Sequence, residues 1–99
     1  METLIAALAR LAAAGFRDSF RARGDALYAI DAGLVIPPEQ LAVAELVRFE
    51  GDSDPQDELV LLALRSKDGG VWGTWLVSYG PQTDAESDAL LRRLPRKSA

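Results

Sequence analysis

The densest group of side chains that can do chemistry is a run of five carboxylates within nine positions, residues 50–58. These carboxylates belong to Glu50, Asp52, Asp54, Asp57 and Glu58. Several of them converging on one point would supply the oxygen ligands that Mg²⁺ or Ca²⁺ prefers. Gly51 and Pro55 interrupt the run, which is typical of a solvated turn whose aspartates bond their own backbone. The spacing lacks the glycine and the final glutamate of an EF-hand loop, so we favour the turn.

A candidate polar site combines this run with the arginine that precedes it, and its residues are Arg48, Glu50, Asp52, Ser53 and Asp57. On a strand, alternation puts Arg48 and Glu50 on one face and Phe49 on the other. Arg48 could bind a carboxylate or a phosphate through two parallel hydrogen bonds. The simpler interpretation is an exposed ion pair between Arg48 and Glu50, which contributes little to stability.

Two absent residue types exclude whole classes of catalysis. The chain has no cysteine and no histidine, which removes thiol chemistry, imidazole bases and the usual zinc ligands. A net charge of −4 argues against nucleic acid, which needs a basic surface. The apolar stretch at residues 4–14 is too short to cross a membrane. We therefore expect no catalytic residue, no metal, no cofactor, no nucleic-acid ligand and no membrane partner.

A β-hairpin is predicted over residues 59–66 and 71–79, because two apolar runs flank a short polar segment. Within that segment, Asp68-Gly69 is typical of a two-residue type I′ turn. The resulting register pairs Ser66 with Val71, Arg65 with Trp72, Leu64 with Gly73, Leu62 with Trp75 and Val60 with Val77.

This register assigns the aromatic side chains of the hairpin to opposite faces of the sheet. Trp75 points with the apolar core residues, whereas Trp72 lies on the other face together with Leu76. Arg65 is placed to stack on the Trp72 ring. Because exposed tryptophans often anchor interfaces, Trp72, Arg65 and Leu76 are the candidate interface residues.

The rest of the chain predicts two helices and further strands. Helical spacing of apolar residues indicates a first helix over residues 2–14, which Gly15 and Phe16 would close. Residues 16–37 suggest one or two short strands with a turn near Gly24. Thr83-Asp84-Ala85-Glu86 fits a capping box that opens a second helix, and Pro95 would end it.

The segment after the two prolines at positions 37 and 38 has two interpretations. As a strand, residues 41–50 place four apolar side chains on one face, those of Leu41, Val43, Val47 and Phe49, with Glu45 interrupting them. A helix over residues 39–48 is the alternative, since its alanines, leucine and glutamate all tolerate a helix.

These elements predict a single α+β domain over residues 1–94 followed by a flexible tail over residues 95–99. The domain would comprise an N-terminal helix, an antiparallel sheet of four to five strands that includes the Asp68-Gly69 hairpin as a meander, and a C-terminal helix. We expect the helices to cover one face of the sheet and to leave the other face wet or available to a partner.

A set of motifs resembles those of a family of small bacterial proteins of about this length. The matching residues are Gly15-Phe16, Phe20, Arg48-Phe49-Glu50-Gly51, Ser53, Pro55, Asp57, Ser66-Lys67-Asp68-Gly69, Gly73 and Tyr79-Gly80. The resemblance runs from the first helix to Gly80, and the chain departs from the family pattern after that residue. The family is of unknown function, and many members carry the label phosphoribosylpyrophosphate synthetase. Membership would imply a small protein whose activity is still to be defined.

We expect a cytoplasmic, non-enzymatic module that binds a protein partner or forms a homodimer. The missing cysteines are compatible with a reducing compartment. The labelled synthetase activity is not expected, because moving a diphosphate takes cationic groups and Mg²⁺, whereas the polar loop here is acidic. The alternative is an Mg²⁺-dependent, carboxylate-based enzyme that acts on a phosphorylated metabolite at Arg48, Glu50, Asp52 and Asp57.

The run at residues 50–58 leads to a test of metal binding. We predict that Mg²⁺, Mn²⁺ and Ca²⁺ leave the melting temperature of the protein unchanged, because the spacing of the carboxylates gives no recognised coordination geometry. A metal that binds only the folded state must raise the melting temperature in proportion to its saturation. A rise that Asp52→Asn and Asp57→Asn abolish would contradict the prediction and favour the enzyme.

Overall fold

Two α-helices and six β-strands make up the part of the chain that the computed structural model describes, residues 2–49, 58–79 and 85–95. In chain order the elements are α1 (Leu4–Ala13), β1 (Asp18–Arg23), β2 (Ala26–Ala29), β3 (Leu34–Ile36), a 3-10 turn (Pro38–Gln40), β4 (Leu41–Phe49), β5 (Glu58–Ser66), β6 (Trp72–Tyr79) and α2 (Ala85–Arg93). No helix in the described ranges is both long enough and apolar enough to span a membrane.

Helix α1 is defined by its caps as well as by its alanine-rich sequence. The side chain of Thr3 caps its N-terminus. At the other end, the Phe16 N–H donates to the Leu11 carbonyl at 2.9 Å and the Gly15 N–H donates to the Ala12 carbonyl at 3.1 Å. This pair of bonds is a Schellman motif, and it needs the positive φ of 110° that Gly15 adopts. The predicted end of the helix is therefore confirmed.

The six strands form one mixed sheet in the order β3-β2-β1-β6-β5-β4. The α+β class is confirmed, but the predicted antiparallel sheet of four to five strands was wrong. Strands β1 and β6 run parallel, with Ser19 beside Thr74. Local patterns cannot reveal this pairing, because it joins segments that are far apart in the chain. Strand β3 is only three residues long, too short for alternation to show.

The hairpin of β5 and β6 has the predicted register but a different turn. Leu62 lies opposite Trp75, and Arg65 lies opposite Trp72. The connection has five residues instead of two, and Gly69 is its only residue with positive φ, at 78°. A type I′ turn needs positive φ at both central residues. The predicted two-residue turn was therefore wrong.

Asp68 organises this turn with its carboxylate. Its Oδ1 accepts hydrogen bonds from the Ser66 hydroxyl at 2.6 Å and from the Gly70 N–H at 2.9 Å. These bonds hold the pKa of Asp68 below its ordinary value, with the Ser66 bond as the larger cause. The Ser66 hydroxyl oxygen in turn accepts from the Val71 N–H at 2.9 Å. An aspartate that bonds the backbone two residues ahead stabilises a turn without positive φ of its own.

Strand β4 confirms the strand interpretation of residues 41–49. A bulge within it changes which side chains point to which face of the sheet. The register with β5 shifts between Val43 and Glu45. Before the shift, Leu41 and Val43 pack in the first core; after it, Val47 and Phe49 pack in the second. The prediction that all four share one face was wrong, because a bulge inserts one residue and reverses the alternation.

The two helices lie on opposite faces of the sheet. Helix α2 brings Leu90 and Leu94 to the first face, where the core includes Trp75 and Leu62. Helix α1 brings Ala7 and Leu11 to the second face. The expectation that both helices share one face was wrong. Strand β5 needs both, because its apolar run from residue 60 to residue 64 is buried throughout.

The close approach of β1 and β6 yields a test of the fold. A Cβ added at Gly73 would lie 2.5 Å from the backbone oxygen of Asp18. We predict that Gly73→Ala lowers the free energy of unfolding by about 1–3 kcal/mol, the usual effect of overpacking. Urea unfolding measures this loss.

Gly70→Ala is the matched control for that substitution. A Cβ at Gly70 would meet side-chain atoms of Asp68, the nearest being Oδ1 at 3.3 Å. Because that oxygen accepts the hydrogen bonds that organise the turn, we expect a loss of stability, but a smaller one than that of Gly73→Ala, which meets backbone. Equal effects of the two substitutions would show that the contact of β1 with β6 is not tight.

Candidate functional site

The structure tests only one residue of the candidate polar site. Arg48 is exposed on β4 and lies opposite Val60, on the face that α2 covers. The other members, Glu50, Asp52, Ser53 and Asp57, lie outside the described residues. Within the described ranges, no group of three or more carboxylates is placed to hold a metal ion.

Trp72 is half-buried and helps to fix α1 on the second face. Its ring packs against Phe16 with centroids 4.9 Å apart, directly after the Schellman motif. The guanidinium of Arg65 lies 5.9 Å from the ring, as the register predicted. The indole N–H donates to the Gly69 carbonyl at 3.1 Å. Because several intramolecular partners already surround it, Trp72 is a packing residue more than a free anchor.

An ion-pair cluster fixes the other flank of α1 to the outer strand β4. The Arg10 guanidinium donates to Glu45 on β4 at 3.0 Å and to Glu2 at 2.7 Å. The hydrogen bonds from Arg10 hold the pKa of Glu45 and the pKa of Glu2 below their ordinary values. Helix α1 is thereby held over the β4 and β5 side of the second face.

The second face beyond β6 is not covered by either helix. Arg21 lies opposite Tyr28, and Tyr28 lies opposite Val35. Leu76 and Arg21 each follow the Ser19–Thr74 pair by two residues in parallel register. Arg21, Tyr28 and Val35 therefore form a row across three strands, and Leu76 lies on the same face of β6, two residues beyond the last parallel pair. We call this surface the open half-face, and its residues are Ser19, Arg21, Arg23, Tyr28, Val35 and Leu76.

Side chains of the open half-face are apolar and cationic. Leu76 is 44% exposed and Val35 is 53% exposed. The guanidinium of Arg23 lies 5.0 Å from the centroid of the Tyr28 ring. Among the described residues, neither Arg21 nor Arg23 forms an ion pair, whereas Arg10, Arg92 and Arg93 all do. An apolar surface with unpaired arginines fits a ligand that is both apolar and anionic.

A cleft of about 330 Å³ lies at the end of the open half-face where β1 begins. Arg17 and Trp72 line it, together with the turn that follows β2. That turn is fixed by the buried carboxylate of Asp18, which accepts hydrogen bonds from the backbone N–H groups of Ser19, Asp31 and Ala32 at 2.7, 2.8 and 3.0 Å. Asp18 thus joins the β2–β3 connection to β1 and shapes the cleft.

Comparisons of the chain with family models, with curated proteins and with solved structures gave no match. The resemblance to the small bacterial family therefore stays a prediction. The open half-face is defined by the geometry of this chain alone.

The sequence contains a pattern that predicts part of the open half-face, although the candidate interface residues were chosen without it. In residues 18–23, arginine at positions 21 and 23 alternates with Phe20 and Ala22. Phe20 is buried and Ala22 packs against the same core, so alternation alone places both arginines on the solvent side. The position of Leu76 beside Arg21 could not be found in this way, because it depends on the parallel pairing of β1 with β6.

The role of Asp18 leads to a test. We predict that Asp18→Asn lowers the free energy of unfolding by about 1–3 kcal/mol. Both oxygens of the carboxylate accept hydrogen bonds from backbone N–H groups, whereas the NH₂ group of an asparagine amide would face one of these N–H donors and could not accept from it. Asp31→Asn is the control, since Asp31 is exposed and contributes only its backbone N–H. Urea unfolding of both variants measures the difference. Equal stabilities would contradict the assigned role.

Proposed function

We propose that this protein is a small cytoplasmic binding module that holds a segment of a partner protein on the open half-face and catalyses no reaction itself. The observation that carries the proposal is the combination of exposed apolar residues with two arginines that form no ion pair with any described residue. Leu76 and Val35 supply the apolar area, and Arg21 and Arg23 supply charge. The missing cysteines agree with a reducing compartment.

The arrangement supports binding over catalysis. The open half-face presents guanidinium groups, hydroxyls and apolar side chains, which orient ligands. General acid–base catalysis needs a group whose pKa lies near the working pH. None of the six residues of the open half-face is a histidine, a carboxylate or a lysine, which are the side chains that most often do this. The Mg²⁺-dependent alternative rests, apart from Arg48, on residues outside the described ranges, and the metal titration above tests it.

The composition of the open half-face is typical of a surface that a partner protein covers when it binds. Tyrosine and arginine side chains are enriched at the energetically important positions of interfaces. Tyr28 pairs with Arg21, and Leu76 lies on the same face of the neighbouring strand β6, so one ligand segment can contact all three. A rigid sheet also loses little conformational entropy on binding, which favours affinity.

A pair of substitutions with matched exposure tests the proposal. Leu76 on the open half-face is 44% exposed, and Leu46 on β4 is 45% exposed but lies on the opposite face. Peptides are selected from a displayed random library on the wild-type protein, and their affinities are measured by fluorescence anisotropy. We predict that Leu76→Asp weakens these peptides about tenfold or more, while Leu46→Asp changes affinity less than about twofold.

Three outcomes are informative. Selection of no saturable binder, or equal weakening by both substitutions, would contradict the proposal. Light scattering on the same variants detects a second copy as the occupant. A wild-type dimer that Leu76→Asp dissociates, but Leu46→Asp does not, would replace the foreign partner with self-association.

A further inference from the structure

We infer that the occupant of the open half-face is an amphipathic helix with an acidic flank, lying beside α1 on the sheet. This inference rests on the proposed function and names the chemistry of its ligand. Width, apolar shape and charge each support it separately.

The width of the open half-face matches one helix. Strands β1, β2 and β3 are consecutive in the sheet and are left uncovered by α1. With Leu76 on β6, the open half-face extends over three strand spacings, about 14 Å, which leaves room for one α-helix with its side chains, about 10–12 Å across, but not for two. Neighbouring packed helices lie about 8–10 Å apart. A single further helix therefore completes the layer that α1 begins.

The side of α1 that faces this space is apolar. Arg10 is fixed to β4 through Glu45, and successive helical residues are rotated by about 100°. Leu8 and Ile5 therefore project from the opposite flank, toward β6. Leu8 is 38% exposed and Ile5 is 80% exposed, so both are free to contact a neighbour. This exposed apolar flank of α1 is available to a helix that docks beside it.

The positive charge of the open half-face favours a docked helix with an acidic flank. The Cα atoms of Arg21 and Arg23 are about 6.6–6.8 Å apart, as two strand steps require. Carboxylates at positions i and i+4 of a helix are about 6 Å apart along its axis, so two glutamates can meet the two arginines. Arg17 extends the cationic side at the cleft. The net charge of −4 opposes a dense polyanion such as nucleic acid at long range.

Three synthetic peptides of about 18 residues test the inference, a length at which an isolated helix is only partly formed. The first carries leucines at i, i+3, i+4 and i+7 with glutamates along one flank. The second replaces each glutamate with glutamine, and the third scrambles the order of the first. Anisotropy reports binding and circular dichroism reports helix formation. We expect the first peptide to bind and gain helicity, with the other two about tenfold weaker.

Two double variants that lose the same charge test whether the arginines of the open half-face bind the acidic peptide. Arg21→Gln/Arg23→Gln removes two cations from the open half-face, while Arg48→Gln/Lys67→Gln removes two exposed cations elsewhere. Exposed ion pairs are each worth up to about fivefold in affinity. We expect the first pair of substitutions to weaken the acidic peptide about tenfold or more and to abolish its advantage over the glutamine peptide. The second pair should change affinity about twofold or less.

The outcomes separate the inference from the proposed function. If the scrambled or glutamine peptide binds as tightly as the first, or if both double variants weaken binding equally, the acidic helix is overturned. In that case library-selected peptides that remain sensitive to Leu76→Asp would still support the binding module. A single-stranded oligonucleotide that binds more tightly than the acidic peptide, with loss in Arg21→Gln/Arg23→Gln, would overturn the helix in favour of nucleic acid.

Discussion

The parallel contact between β1 and β6 is the constraint on which the rest of the structure depends. Without it, the described strands would form two separate three-stranded antiparallel units, β3-β2-β1 and β6-β5-β4. The contact comprises the pairs of Asp18 with Gly73 and of Ser19 with Thr74. Gly73 permits the close approach, because any Cβ would overlap the Asp18 backbone. Asp18 also fixes the turn after β2, so one short segment aligns both halves of the sheet.

Features of the fold that depend on residues close together in the chain were predicted from the sequence, and features that depend on distant residues were not. The Schellman end of α1 and the register of the β5–β6 hairpin depend on neighbouring residues, and both were predicted correctly. The parallel pairing, the short β3 and the bulge in β4 depend on distant partners, and all three were missed. The turn at Asp68 shows that a favoured dipeptide is not decisive, because a side-chain hydrogen bond stabilised a different turn.

The predicted interface residues Trp72 and Leu76 have different surroundings in the structure. Phe16 packs on Trp72, whereas Leu76 stays exposed on the same face as Arg21. The continuous apolar run of β5 indicated that both faces are covered, and it would have predicted a helix over Trp72. Which part of the second face remains open could not be read from the sequence, since it requires the strand order.

Arginine serves two purposes in this protein, and the contrast explains the open half-face. Arg10 joins α1 to β4 through Glu45. Arg93 joins α2 to Glu39 and to the carbonyl of Asp25, and the Glu39 bonds are bidentate. Such exposed pairs contribute little free energy, so the position of α1 follows from its packing, in which Ala7 and Leu11 share a core with Leu61 and Ala63 of β5. No residue of β1, β2 or β3 belongs to that core.

The arginines of β1 are placed where no described carboxylate reaches them. In a chain with more acids than bases, leaving Arg21 and Arg23 unpaired concentrates positive charge on one face of an otherwise acidic molecule. Apart from the contact of Arg23 with the Tyr28 ring, neither guanidinium forms an ion pair with another described residue. That separation of charge does provide orientation for a ligand with the opposite charge, and the exposed apolar residues beside it provide contact area. The geometry that completes the core on one half of the second face thus leaves an exposed apolar and cationic surface on the other.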